Sequence, residues 1–198
     1  MEKFYLEEPS IERKQDVIDY INEHLKNNSP INGSHSIYKY IDNYEDWLKI
    51  VNEERTITPN EERVPNITFF LVRENDNKIV GMINIRLTLN SSLKESGGHI
   101  GYGIRPSERR KGYNKINLYL GLKVLQEYRV KEAMLSCKKD NIGSSKTMIA
   151  LGGKLVKEYP YEKDNSILLQ NYTIDVDDSL EKYKDIYEPY ISIKEKRR

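Results

Sequence analysis

The residues best placed to do chemistry lie in HIGYGIRPSERRKGYNKIN, positions 99–117. An apolar strand pattern punctuated by Gly101 and Gly103 runs into a basic turn, Arg109, Arg110, Lys111 and Gly112, and a helical pattern follows. A helix that opens straight after a strand presents main-chain N–H groups without acceptors, and its dipole adds partial positive charge there. Such a turn binds phosphate. The cationic side chains strengthen the attraction, and Gly112, lacking a Cβ, lets an anion come close to the main chain. The chemistry is that of a diphosphate cradle. The stretch contains no GxxxxGK(S/T), and Gly101 and Gly103 sit inside the strand rather than after it, so neither a Walker loop nor a dinucleotide GxGxxG applies. A solvated basic turn before a helix is the plain alternative.

The cradle needs a scaffold, and 198 residues suffice for one domain with a sizeable core. Basic side chains number 32 and acidic ones 31, a net charge of +1 that argues against broad capture of nucleic acid and for a small partner. The single cysteine, Cys137, precludes an intrachain disulfide and fits a reducing compartment; it reads as a small core residue with no base beside it. The opening MEKFYLEEPS has no apolar h-region, and no run approaches the roughly 18 apolar residues of a membrane span. A cytoplasmic protein without a membrane partner is expected.

Along the chain, residues 4–8 read as a first strand. Val17, Ile18, Ile21 and Leu25 recur at helical spacing within 11–26, giving an amphipathic helix on which His24 is expected at the surface. Residues 27–43 form a long polar loop, a candidate wall for a ligand site through His35, Tyr38 and Tyr40. A helix over 44–54 buries Trp47, Leu48 and Val51 on one face, and 56–65 is a linker. Two β-branched runs, 67–73 and 78–88, flank Glu74-Asn75-Asp76-Asn77 and predict an antiparallel hairpin whose second arm alternates apolar with polar Asn84, Arg86 and Thr88. A loop over 90–98 returns the chain to the Gly-punctuated strand. Beyond the cradle, Ile116, Leu120, Val124 and Tyr128 form one stripe of a helix over 115–128. A buried strand at 132–137 follows, expected parallel to the strand at 99–104 because a helix of that length is the usual crossover. Strands at 154–161 and 166–174 end the domain. The tail contains DDSLEKYKDIY, a short amphipathic helix able to dock on the core or on a second subunit, so a homodimer is compatible, and a basic KEKRR end.

The turn Arg109-Arg110-Lys111-Gly112-Tyr113-Asn114 resembles the acyl-CoA pyrophosphate loop of the GNAT superfamily of N-acetyltransferases, Q/R-x-x-G-x-G/A, with Asn114 in place of the final Gly or Ala. A second element of that superfamily, N-x-x-A/S-x-x-x-Y-x-x-x-G-F/G, is matched by Asn141, Ser144, Gly152 and Gly153, with Met148 where the tyrosine would stand. The resemblance covers about 4–174, and HIGYGIRPSERRKGY and GGKL are similar to a bacterial subgroup for which it implies no particular substrate. It implies a GNAT-like α/β (α+β) fold: a mixed, mostly antiparallel twisted sheet flanked by helices, with a splayed central parallel strand pair. The domain would occupy 1–175, with 176–198 as an extension. Acetyl-CoA would be the co-substrate, with no metal, and the acceptor a primary amine of a small molecule or peptide; a CoA-binding module without turnover is the alternative. By the same resemblance Ile104 and Arg105 would contact pantetheine through the main chain, Arg109, Arg110, Lys111, Gly112, Tyr113 and Asn114 the diphosphate, and Asn141 and Ser144 the cofactor from the next helix. His35 and Tyr38 would meet the acceptor. The superfamily's tyrosine protonates the departing thiolate; Tyr159 or Tyr161 would have to replace it. His99 is the candidate base, with Glu95 or a water chain behind it.

Overall fold

A computed structural model describes residues 1–162 and 164–192. The KEKRR end therefore lies outside the described residues. Strands β1 (Phe4–Glu7), β2 (Asn66–Arg73), β3 (Lys78–Arg86) and β4 (Ile100–Ile104) form one antiparallel sheet in that order. Strands β5 (Glu132–Lys138), β6 (Lys154–Tyr161) and β7 (Asp164–Asp175) form a second antiparallel sheet, ordered β5-β7-β6. The predicted hairpin is present: Asn66 faces Arg86 and Arg73 faces Lys78 across β2 and β3.

Helices α1 (Lys14–Lys26) and α2 (Tyr44–Glu53) cover one face of the first sheet, where Val17, Ile21 and Trp47 bury against Phe70, Val72 and Met82. Trp47 stacks on Phe70 with ring centroids 6.2 Å apart, and its Nε1 donates to the Ser34 carbonyl at 2.9 Å, pinning the α1–α2 loop over the sheet. On the other face lies α4 (Tyr113–Glu127), in a larger core shared with both sheets, α5 (Ile142–Ile149) and the C-terminal helices α6 (Val176–Lys182) and α7 (Lys184–Tyr187). Helix α3 (Ser91–Glu95) occupies the loop before β4.

Several expectations are corrected. Helix α4 does not bury a single stripe: Asn117, Leu118, Tyr119, Leu120, Gly121 and Leu122 are all buried, while Tyr128, placed on the stripe, is exposed. It is surrounded, and a helix packed on most sides loses its period. His24 is not at the surface but fully buried, its Nδ1 3.0 Å from the Pro30 carbonyl and its ring 4.6 Å from that of Tyr20. The parallel ladder expected between 99–104 and 132–137 is not seen among the described residues. The two stretches meet at one bridge, Gly98 with Leu135, of antiparallel type, and at the His99 N–H, which donates to the Met134 carbonyl at 2.7 Å. The extension docks on its own core: Val176, Leu180 and Tyr187 are buried, Tyr187 packs on Tyr119 at 5.3 Å, and the Ser192 N–H donates to the Phe4 carbonyl at 2.9 Å.

Candidate active site

The register of β4 on β3 pairs Met82 with Gly103 and Asn84 with Gly101, the Arg105 N–H donates to the Val80 carbonyl at 2.9 Å, and the Arg86 N–H donates to the His99 carbonyl at 2.8 Å. This register turns the main-chain groups of Gly101, Gly103 and Arg105 toward β3 and leaves those of Tyr102 and Ile104 on the outer edge. The Arg105 main chain, expected to meet pantetheine, is thus already committed. Above β4 lies the α1–α2 loop. A Cβ on Gly33, whose φ is +72°, would stand 2.6 Å from both the Met82 carbonyl oxygen and the Tyr102 Cα, so only glycine lets this loop lie so close to the strand.

At the C-terminal end of β4 the basic turn divides its side chains between holding and binding. Arg109 holds: Nε donates to the Ile104 carbonyl at 3.1 Å and Nη2 to Ser29 Oγ at 2.5 Å. Arg105 holds as well, with Nε on the Ile79 carbonyl at 2.9 Å and Nη1 on Glu23 Oε2 at 3.1 Å, while Glu23 Oε1 accepts the Ser107 N–H at 2.7 Å. Lys111 is drawn to Glu108, whose carboxylate also meets Arg73 and Lys78, each at about 3 Å. Burial alone would raise the Glu108 carboxyl, but bonds from Lys111, Lys78 and Arg73 outweigh it and hold it at about 2. Tyr113 is a core residue, its ring 4.6 Å from Phe4 and its hydroxyl on Glu2. Arg110, exposed, has no partner among the described residues.

What remains for an anion is main chain. Gly112 caps α4 with φ +86°, and nothing stands within 4 Å of where its Cβ would be. Of the first-turn amides, that of Lys115 donates to the Gly112 carbonyl at 3.0 Å, and those of Tyr113 and Asn114 have no i−4 carbonyl within the helix to take them. A diphosphate fits here: open approach, free amides and the Arg110 guanidinium. Asn114, where relatives carry Gly or Ala, adds a buried Oδ1 with no donor among the described residues. Across the outer edge of β4, Asn141 caps α5 by accepting the Ser144 N–H at 3.1 Å, and the Tyr102 hydroxyl donates to the Ser144 carbonyl at 3.3 Å.

Beside Gly101 opens a cavity of about 500 Å3, lined by the α1–α2 loop, Glu54 and the polar face of the hairpin. The polar arm of β3 is therefore covered rather than solvated: Asn84 is buried and donates to Asn66 Oδ1 at 2.7 Å and Thr68 Oγ1 at 3.0 Å. His35 and Tyr38 line the cavity. Glu54, not singled out from the sequence, is buried at its wall; its Oε2 accepts Asn66 Nδ2 at 2.7 Å and lies 3.3 Å from His35 Nε2. Burial lowers the His35 pKa, Glu54 opposes this, and Arg86 and Lys39 lower it further. His35 is thus a neutral imidazole with Nε2 beside the Glu54 carboxylate.

His99 does not have the geometry of a base. Its Nδ1 accepts the Met134 N–H at 3.0 Å, and burial followed by Arg86 takes its pKa down to about 4. Tyr159 and Tyr161 do not line the cavity. The Tyr159 hydroxyl is held by the Glu95 carbonyl and by Asn171 Oδ1, and Tyr161 ends β6 at the hairpin tip. Met148 is fully buried. The Cys137 thiol is pushed up to about 11 by burial and Asp140 and stays protonated. No group of three metal-ligating side chains occurs among the described residues, and no described helix is long and apolar enough to cross a membrane.

A strand with an open outer edge, ending in a basic, glycine-capped turn and flanked by a polar cavity, is the arrangement found at the centre of this fold. The Acetyltransferase (GNAT) family model matches residues 29–151, more than half of the sequence, and the chain belongs to that family. Acetyl-CoA is accordingly its co-substrate. Similar solved structures include RimJ of Mycobacterium smegmatis in complex with CoA-disulfide, at a TM-score of 0.69 and 12% identity over 92% of this chain and 88% of that one. The ribosomal-protein-S5-alanine acetyltransferase of Vibrio fischeri gives a TM-score of 0.68 at 16% identity, covering 90% of this chain and 96% of that one. The microcin C7 self-immunity acetyltransferase MccE, in complex with acetyl-CoA and AMP, gives 0.61 at 18%, covering 87% and 92%. At such identities the likeness is one of fold. No curated protein matches the sequence.

Proposed function

We propose that this chain transfers the acetyl group of acetyl-CoA directly to a primary amine of a small molecule or peptide held in the cavity beside Gly101. The cavity carries the reading: it opens against the strand that ends in the diphosphate turn. In this proposal the amides at Gly112 and the Arg110 guanidinium take the diphosphate, and the outer edge of Tyr102 and Ile104 lies along the pantetheine arm. Asn141 and Ser144 border that arm from α5. Arg109, Arg105 and Lys111 hold the turn in shape rather than bind.

The amine arrives as an ammonium and must lose a proton before attack. The His35 imidazole, beside Glu54, is the acceptor on the cavity wall. This half-buried neutral ring takes the proton, and the adjacent carboxylate stabilises the imidazolium it becomes. The departing thiol, with an ordinary pKa of about 8.5, needs no dedicated acid, which accommodates a buried Met148. The lone protonated thiol of Cys137 is compatible with a cytoplasmic setting.

Free-thiol release from acetyl-CoA with a panel of primary amines tests the reading. His35→Gln should lower kcat/KM by about ten- to a thousandfold with CoA affinity unchanged, since base contributions are of this order. No release with any amine, despite CoA binding, would leave a binding module.

A further inference from the structure

The cavity wall holds one half-buried charge that the proton transfer leaves unused. Arg86, at the end of β3 and on the same polar arm as Asn84, lines the cavity. Among the described residues its guanidinium makes one hydrogen bond, Nη1 to the Gly98 carbonyl at 2.9 Å, and no carboxylate lies within ion-pair distance. That sets it apart from the three buried arginines. Arg13 meets Asp16 at 2.8 Å, Arg73 meets Asp76 at 2.7 Å and Glu108 at 3.0 Å, and Arg105 meets Glu23 at 3.1 Å. The one buried acid on the cavity wall is spent elsewhere, for Glu54 is held by Asn66, His35 and Arg63.

A guanidinium does not shed its proton, so withdrawing it from water without a counter-charge is costly. Burial accordingly pushes the Arg86 pKa below its usual value, and its charge depresses both His99 and His35. Among the described residues, four of its five donors have no protein acceptor. A planar fork with free donors facing a cavity matches a carboxylate or a phosphoryl group in two-point contact.

We propose that Arg86 is the receptor for an anionic group on the acceptor, so that the amine acetylated here belongs to a molecule that also carries a carboxylate or a phosphoryl group. This rests on the acetyl-transfer reading above and narrows its substrate class. The cavity then has two poles: Arg86 takes the anion, and the Glu54–His35 pair takes the proton of the ammonium. An amine lacking the anion leaves the half-buried guanidinium without a counter-charge, which sets the discrimination.

The test compares matched primary amines that share one carbon skeleton and end in a carboxylate, a phosphonate or a neutral amide. With the wild-type chain and acetyl-CoA, thiol release should favour one of the anionic amines over the amide by about ten- to a hundredfold in kcat/KM, as charge-assisted hydrogen bonds to an enclosed anion do. Which anion wins separates carboxylate from phosphoryl. In Arg86→Gln the ratio should fall to within about threefold, and Arg86→Lys, retaining charge without the fork, should lie between. Wild-type enzyme with no preference for either anion overturns the proposal, whatever the variants do. A second arm needs no turnover: calorimetric binding of the N-acetylated anionic compounds to the CoA-loaded chain, expected in the wild type and lost in Arg86→Gln. Anion binding without acetylation of any amine would sink the transfer reading and keep the anion site. Acetylation of all amines alike, with no Arg86-dependent binding, would do the reverse.

Discussion

His99 should destabilise the fold in acid rather than drive catalysis near neutrality. The ring is buried, 8% exposed, with Nδ1 on the Met134 N–H, so the folded state holds it neutral with the proton on Nε2. Its pKa is lowered to about 4 from an ordinary 6.5. Between these values the unfolded chain binds a proton that the folded chain refuses. The stability His99 contributes is therefore complete above pH 6.5 and is lost as pH falls toward 4. Working the linkage from pH 7 to pH 4 gives a loss of about 3 kcal/mol. His24 and His35 are depressed too, so the whole protein should weaken over the same range, but comparison with His99→Gln isolates the one ring. Urea denaturation at half-unit steps from pH 7.5 to 4.5 should show the wild type weaker than the variant in slope: the wild-type advantage shrinks by about 2–3 kcal/mol across the series. Parallel stability curves would refute the argument, and would mean that the imidazole titrates alike in both states.

Two further outcomes test the cofactor turn. Gly112→Val places a branched side chain at φ +86°, so the fold should lose about 1–3 kcal/mol and CoA affinity at least about tenfold, read by urea denaturation and calorimetry; unchanged affinity would put the diphosphate elsewhere. Glu23→Gln, which removes the charge facing Arg105 and weakens the grip on the Ser107 amide, should cost about 1–3 kcal/mol and raise the KM for acetyl-CoA severalfold, because helix α1 then no longer fixes the turn.

Legibility in the sequence followed the range of the interactions. The hairpin of β2 and β3 was readable because its turn residues and its alternation are local, and so was the turn from β4 into α4, whose glycine and basic residues are contiguous. The helix after β5 was expected only from the resemblance, and Asn141 caps it. His24 was misplaced because the periodicity of α1 says which face is apolar but not what a returning loop will cover; Ser29 and Pro30 fold back over it. Glu54 and Arg86 carried no local signal at all. One ends a helix and the other a strand, and they reach one cavity only because Asn66 and Arg86 fall opposite each other in the β2–β3 register. Tyr187 looked like part of an appendage, yet it contributes to the core around α4, a contact no pattern within DDSLEKYKDIY could reveal.

The basic turn shows why residue type alone overstates a binding site. Of the six cations one would assign to the turn by eye, Arg73, Lys78, Arg105, Arg109, Arg110 and Lys111, four are paired with the Glu23 or Glu108 carboxylates within 3.1 Å. A side-chain cation free to reach a phosphate is also free to move away, and ordering it costs rotamer entropy when the ligand binds. Amides fixed by the Gly112 cap carry no such cost. The charged residues are better spent holding those amides: Arg109 ties the Ile104 carbonyl to Ser29, and Glu23 ties Arg105 to the Ser107 amide, so the end of β4, the turn and helix α1 move as one. On this arrangement affinity for the diphosphate comes mainly from main chain, and salt should weaken CoA binding less than the count of arginines and lysines suggests, because few of those charges are left to be screened.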